Sequence, residues 1–77
     1  MKVPAQVLSA AAENVAEFGA HFGNLGEYNG RTVYVFRFPK GELTGFPFLY
    51  LYSGKDGAVE TVTGFDALDI IRSLGVE

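Results

Sequence analysis

The sequence contains no cysteine and only one histidine among its 77 residues. The missing cysteine excludes disulfide bonds, thiolate catalysis and cysteine-ligated zinc sites. The six basic residues are scattered along the chain with no two adjacent, whereas binding to nucleic acid requires clustered positive charge. No apolar run approaches the roughly 20 residues that span a bilayer. We therefore expect a protein with no cofactor and no metal, which binds neither nucleic acid nor a membrane.

The length and composition fit one small globular domain over residues 1–77. The chain is 48% hydrophobic and 19% charged, which is typical of neither disordered nor fibrous proteins. Domains of roughly 60 to 80 residues are only marginally stable alone, and oligomerisation is a common means of stabilising them. A cysteine-free composition is compatible with the cytosol, so we expect a cytoplasmic protein.

Hydrophobic periodicity divides the chain into helices and strands. Apolar residues recur at helical spacing near both ends of the chain and at alternating spacing between them. The segments predicted are a helix over 5–22, strands over 31–38, 46–53 and 58–63, and a helix over 64–74. The order predicts an α+β two-layer sandwich, with an N-terminal helix, an antiparallel meander of three or four strands and a C-terminal helix.

Local signals place the turns and the helix ends. Asn29-Gly30 is typical of a type I′ hairpin and predicts a short edge strand near 25–28. Gly23 is expected to cap the first helix, and Thr63 the second. The predicted buried stripe of the second helix comprises Phe65, Leu68, Ile71 and Leu74.

Strand register separates the central residues into two faces. If the strands pair symmetrically, Tyr34 lies opposite Tyr50 and Val35 lies opposite Leu49, and Phe38 would lie opposite Phe46. The aromatic face then contains no charge, so we expect both helices to cover it. The opposite face, which we call the aliphatic face, comprises Val33, Val35, Arg37, Leu49, Leu51, Glu60 and Val62.

The aliphatic face is the candidate functional surface. Two short helices on the aromatic side would leave it open, and covering ~500 Å² of apolar surface would contribute about 12 kcal/mol before association costs. The sequence thus favours a non-enzymatic interaction module that forms a homodimer or binds another protein through this face. The alternative is that the chain's own 39–45 connection, N-terminal residues or 23–30 segment cover it.

Two chemical alternatives involve polar side chains. Glu13, Glu17 and His21 would project from one face of a continuous helix and could contact a metal, although a metal site needs further ligands. The tyrosine hydroxyls could bind a small ligand, but such rings are more often core residues whose polar ends reach solvent.

One stretch resembles a known family. "GFPFLYLYSGKDGAVETVTGFDALDIIRSL" (45–74) resembles the C-terminal half of a thioredoxin-like domain, in which a proline opens a strand and a hairpin and a final helix follow. Pro47 matches that proline. The chain has no Cys-x-x-Cys, so the resemblance implies a redox-inactive half-domain used for binding.

Overall fold

The computed structural model of the chain describes residues 3–37 and 48–75. Four antiparallel strands form an open sheet in the order β1-β2-β3-β4, with helical segments before and after it. The predicted α+β sandwich is confirmed. The elements are α1 (Ala5–Ala10), α2 (Ala12–Phe18), β1 (Phe22–Tyr28), β2 (Arg31–Phe36), β3 (Leu49–Tyr52), β4 (Val59–Val62) and α3 (Phe65–Leu74).

The first helix is shorter than the predicted range of 5–22. It is divided at Ala11, and its second part ends at Phe18, with Gly19 as the C-terminal cap at φ 90°. A positive φ is accessible to glycine at little cost, so the chain turns out of the helix there rather than at Gly23. Phe22 then begins β1, a longer edge strand than the predicted one near 25–28.

The hairpin and the register of the central strands are as predicted. Asn29 and Gly30 both have positive φ, at 53° and 77°, as a type I′ turn requires. Tyr34 pairs with Tyr50 and Val35 with Leu49. On the other side of β3, Tyr50 pairs with Thr61 and Leu49 with Val62. The predicted pair of Phe38 with Phe46 lies outside the described residues, as does Pro47.

The helical segments lie on opposite faces of the sheet. Val7 and Ala11 pack in one core cluster with Tyr34, Phe36 and Tyr50, so α1 covers the aromatic face. A second cluster joins Ala67 and Ile70 of α3 to the central residues of the aliphatic face. The expectation that both helices cover the aromatic face is therefore wrong, since each face has its own helical cover.

The start and the buried side of α3 also differ from prediction. Gly64 is the N-terminal cap residue, with φ 73° and ψ −148°, and no side chain caps the helix there, so Thr63 does not have that role. Ala67 and Ile70 form the buried side, Ile71 and Leu74 are half-buried, and Phe65 is 75% exposed. The buried side of the helix is therefore centred on Ala67 and Ile70 rather than on Phe65 and Leu68.

Candidate functional site

The centre of the predicted interface lies in the core. Val33 and Leu49 are fully buried, Leu51 is 1% exposed and Val62 is 9% exposed. All four pack with Ala67 and Ile70 of α3. A partner could reach these side chains only if α3 moved away.

The other predicted interface residues lie at the margins of the same face. Val35 is half-buried against the core cluster. Arg37 is exposed; its backbone N–H donates to the carbonyl of His21 at 2.7 Å, and its guanidinium lies over Gly23. Glu60 is also exposed, and its carboxylate forms an ion pair with Arg31 at 2.8 Å. The two charged residues therefore border a covered face.

A groove of about 310 Å³ follows β4 on the aliphatic side, and we call it the β4–α3 groove. Its floor includes Leu51 and Val62, one wall carries Glu60, and α3 supplies the other wall. Apart from the Arg31–Glu60 pair, the charges that line it are acidic. The lining residues are Tyr28, Arg31, Leu51, Glu60, Val62, Asp66, Asp69 and Ile70.

A second groove, of about 230 Å³, lies on the other side of β4, between the strand and the α1–α2 junction. We call it the β4–α1 groove. Thr61 lines it, together with Tyr50, whose hydroxyl accepts a hydrogen bond from Asn14 Nδ2 at 3.3 Å. Burial raises the pKa of Tyr50, and the bond from Asn14 offsets part of this rise. The hydroxyl is therefore neutral at ordinary pH, where it acts as a hydrogen-bonding group.

The hydrogen-bonding pattern identifies the backbone groups that β4 turns outward. The N–H of Ser53 donates to the carbonyl of Ala58 at 2.9 Å, so these two residues occupy the position of a hydrogen-bonded pair, although the N–H of Ala58 donates to Asp56 instead. Because such pairs alternate along an antiparallel ladder, Glu60 and Val62 also direct their N–H and C=O groups toward β3. The backbone groups of Val59 and Thr61 consequently point away from the sheet, and the same alternation assigns an outward position to Thr63, the residue after β4.

This outer edge of β4 has no partner strand among the residues that the structure describes. Glu60, Thr61 and Thr63 are exposed, and grooves flank the strand on both faces. The strand is VETV, with no bulge, glycine or proline. We call Val59 to Thr63, with their outward backbone groups, the β4 edge.

The β3–β4 turn fixes the position of this edge. The carboxylate of Asp56 accepts a hydrogen bond from the N–H of Ala58 at 3.1 Å. This bond lowers the pKa of Asp56, with a second contribution from the Ser53 side chain. Asp56 is therefore ionised at ordinary pH and supports the turn that leads into β4.

The edge of β1 is built differently. The register of β1 shifts at Leu25, which forms a bulge between Asn24 and Gly26. The side-chain oxygen of Asn24 accepts the Gly26 N–H at 2.8 Å, and Glu27 is exposed. Bulges and charges of this kind obstruct pairing with another chain.

The structure separates the residues of the metal alternative. Because α2 ends at Phe18, His21 does not continue the helical face of Glu13 and Glu17. It lines a different groove, of about 270 Å³, with Phe22 and Arg37. Among the described residues, no three acidic, histidine or cysteine side chains come together as a metal site would require.

The tyrosines do not form a shared ligand site. Tyr34 and Tyr50 are buried beneath α1 and α2. Tyr28 packs on the other side of the sheet against the α3 cluster, and Tyr52 is half-buried. Two of the rings are thus core residues.

The segment that resembles a thioredoxin-like half-domain has a simple element order. Over 49–74 the structure has a strand, a hairpin, a second strand and a helix. No family model matches the chain, and no curated protein or solved structure gives a match. None of the described helices is long and apolar enough to cross a membrane.

Sequence reasoning missed two parts of the candidate site. Arg31 was not assigned to the aliphatic face, although its place directly after Asn29-Gly30 aligns it with Val33 and Val35 on that face. The alternation of β4 places Thr61 on the same side as the aromatic core face, yet Thr61 is exposed. The usable signal was position: β4 is the last strand of the meander and therefore an edge.

Proposed function

We propose that the protein is a non-enzymatic interaction module that forms a homodimer through the β4 side of its sheet. The observation that carries the proposal is the β4 edge, which is exposed between two grooves and has regular, outward-facing backbone groups. Such an edge is a template for strand addition. The proposal includes a cytoplasmic location, which is supported by the cysteine-free sequence alone.

Strand addition at the β4 edge differs from the association predicted from the sequence, in which a partner buries the aliphatic face. α3 already buries Val33, Leu49 and Leu51, so association cannot draw on the roughly 12 kcal/mol that an open face would supply. Glu60 is the predicted interface residue that stays exposed on β4 itself. The proposed interface retains Glu60 and replaces the apolar contacts with backbone pairing.

The mass of the protein in solution tests the proposal. Light scattering or sedimentation from about 10 μM to about 1 mM should show a rise from monomer to dimer, because edge pairing supplies modest affinity against a large association cost. A monomer across this range would refute the proposed function.

Charge reversal at two edges locates the surface. Glu60→Arg should weaken the dimer, since it removes the ion pair with Arg31 of β2 and sets two positive charges against each other beside the β4 edge. Glu27→Arg is the matched control, because Glu27 is exposed on β1. Equal effects of the two variants would contradict an interface on the β4 side.

A further inference from the structure

We infer that the partner at the β4 edge is a second copy in antiparallel pairing, with Thr61 facing Thr61 of the second copy on the two-fold axis. The inference rests on the proposed self-association and specifies its register. In an isologous dimer, a strand that pairs antiparallel with its own copy has one residue opposite itself on the two-fold axis. The hydrogen-bonding pattern and the charges of β4 decide which residue that is.

The outward backbone groups support an axis at Thr61. Thr61 would form a hydrogen-bonded pair with its own copy, and Val59 would form such pairs with Thr63 of the second copy. Each of these pairs exchanges two N–H···O bonds. Thr61 is the middle residue of the β4 edge, so this register uses the whole exposed segment.

Neighbouring axes are less favourable. An axis at Glu60 would place two carboxylates directly opposite one another, which is destabilising. An axis at Val62 would bring Phe65, the first residue of α3, into the ladder. With Thr61 on the axis, Glu60 faces Val62 of the second copy, and no two like charges are directly opposed.

The edge of β1 does not offer an equivalent surface. Its register shift at Leu25 interrupts the regular spacing of outward groups, and Asn24 already uses its side chain to satisfy the Gly26 N–H. The pairing should therefore involve one edge of each sheet. The product would be a closed dimer with a continuous eight-stranded sheet, and no filament would grow.

Single-cysteine crosslinking tests the register, since the chain has no cysteine of its own. Residues in a hydrogen-bonded antiparallel pair have Cα atoms about 5.5 Å apart, within the disulfide range. Thr61→Cys should form a covalent dimer under mild oxidation at a concentration where the wild type is dimeric. A mixture of Val59→Cys and Thr63→Cys should give the heterodimer in preference to either homodimer.

Glu60→Cys and Asn24→Cys are the matched controls, because both positions are exposed on edge strands. Glu60 would lie diagonally from its own copy, about 7–8 Å away, which is beyond the usual disulfide distance. Crosslinking of Glu60→Cys without Thr61→Cys would overturn the register, and crosslinking of Asn24→Cys alone would overturn the choice of edge.

The outcomes separate the inference from the proposed function. A dimeric wild type that Glu60→Arg weakens and Glu27→Arg does not, but whose Thr61→Cys variant fails to crosslink, leaves the β4-side dimer intact and refutes only the register. A monomeric wild type refutes both. Thr61→Lys offers a second readout without a thiol: it should raise the dimer dissociation constant at least tenfold, whereas Asn24→Lys should leave it unchanged. An equal effect of both would contradict the inference.

Discussion

Replacing Leu49 with alanine tests whether α3 covers the aliphatic face. Leu49 is fully buried and packs in the cluster that includes Val62 and Ile70. Truncating a leucine in such a site costs about 2–5 kcal/mol, because apolar contacts are lost and a cavity remains. A domain of this size has a total stability of about 4–12 kcal/mol, so the variant should fold but with a much smaller margin.

Urea unfolding followed by circular dichroism measures this cost. With a slope of about 1 kcal/mol per M for a small domain, a loss of about 3 kcal/mol lowers the midpoint by about 3 M. Leu68→Ala is the control, since it makes the same chemical change on α3 at a half-buried position. It should cost less than about 1.5 kcal/mol, because less apolar area is lost.

A partner-facing Leu49 would give the opposite result. The variant would then unfold at the same urea concentration as the wild type when both are monomeric, and only its association would weaken. An unchanged midpoint for Leu49→Ala under dilute conditions would therefore refute the placement of α3 on this face.

Three further predictions concern the backbone, a buried hydroxyl and an ion pair. Gly64→Ala should lower the free energy of unfolding by about 1–3 kcal/mol, because φ 73° with ψ −148° is accessible only to glycine. The control, Gly54→Ala, lies at an open site where φ is not positive and should be close to neutral. Equal losses for the two variants would contradict this prediction. Burial raises the pKa of Tyr50 above 10.0, so the folded state holds this proton more tightly. The contribution of Tyr50 to stability should be constant below about pH 10 and fall as the pH rises through the folded pKa. Tyr50→Phe should reduce that alkaline fall, and an identical alkaline profile would count against it. A double-mutant cycle on Arg31 and Glu60 should give only about 0–1 kcal/mol of coupling, since both side chains are partly exposed, and a larger value would mean that the pair is structural.

Alternation and turn chemistry made the sheet predictable. The side-chain period of two, with Asn29-Gly30 at one end and a short turn at the other, leaves one register for residues 31–36, 49–52 and 59–62. A slip by one residue would exchange the Phe and Tyr side chains with the valines and leucines. The pairs of Val33 with Leu51 and of Tyr50 with Thr61 follow directly from this constraint.

The side of the sheet that α3 covers was not predictable from the charges of the strands. Arg37 and Glu60 suggested an uncovered face, because unpaired charges are rarely buried. Both lie at the margin of that face, where they stay exposed while α3 buries its centre. A charged residue therefore indicates only that its own position on a face is exposed. It does not indicate whether a helix covers the rest of that face.

The end of the first helix was predicted wrongly because two patterns overlap there. Phe18 and Phe22 are four residues apart and fit a helical stripe, yet Phe22 lies in β1 and packs edge-on against Phe36 at 5.2 Å between ring centroids. Gly19 allows the chain to leave the helix between them. Tertiary packing of the two aromatic rings thus replaces the helical contact that the spacing suggested.

The arrangement of helices on both faces determines what kind of dimer this fold can form. Among the strands that the structure describes, helices cover both faces, so exposed backbone is confined to the edges β1 and β4, and β4 is the regular one. The proposed pairing has three hydrogen-bonded pairs and therefore six hydrogen bonds. At about 0.5–1.5 kcal/mol each, they contribute roughly 3–9 kcal/mol net, against an association cost of at least about 4 kcal/mol. Pairing outweighs this cost only at the favourable end of these ranges, so the proposed dimer is weak and reversible and forms only at high protein concentration. Thr61, at the centre of the pairing, should therefore control dimerisation while having little effect on the stability of the monomer, and Leu49 should do the reverse.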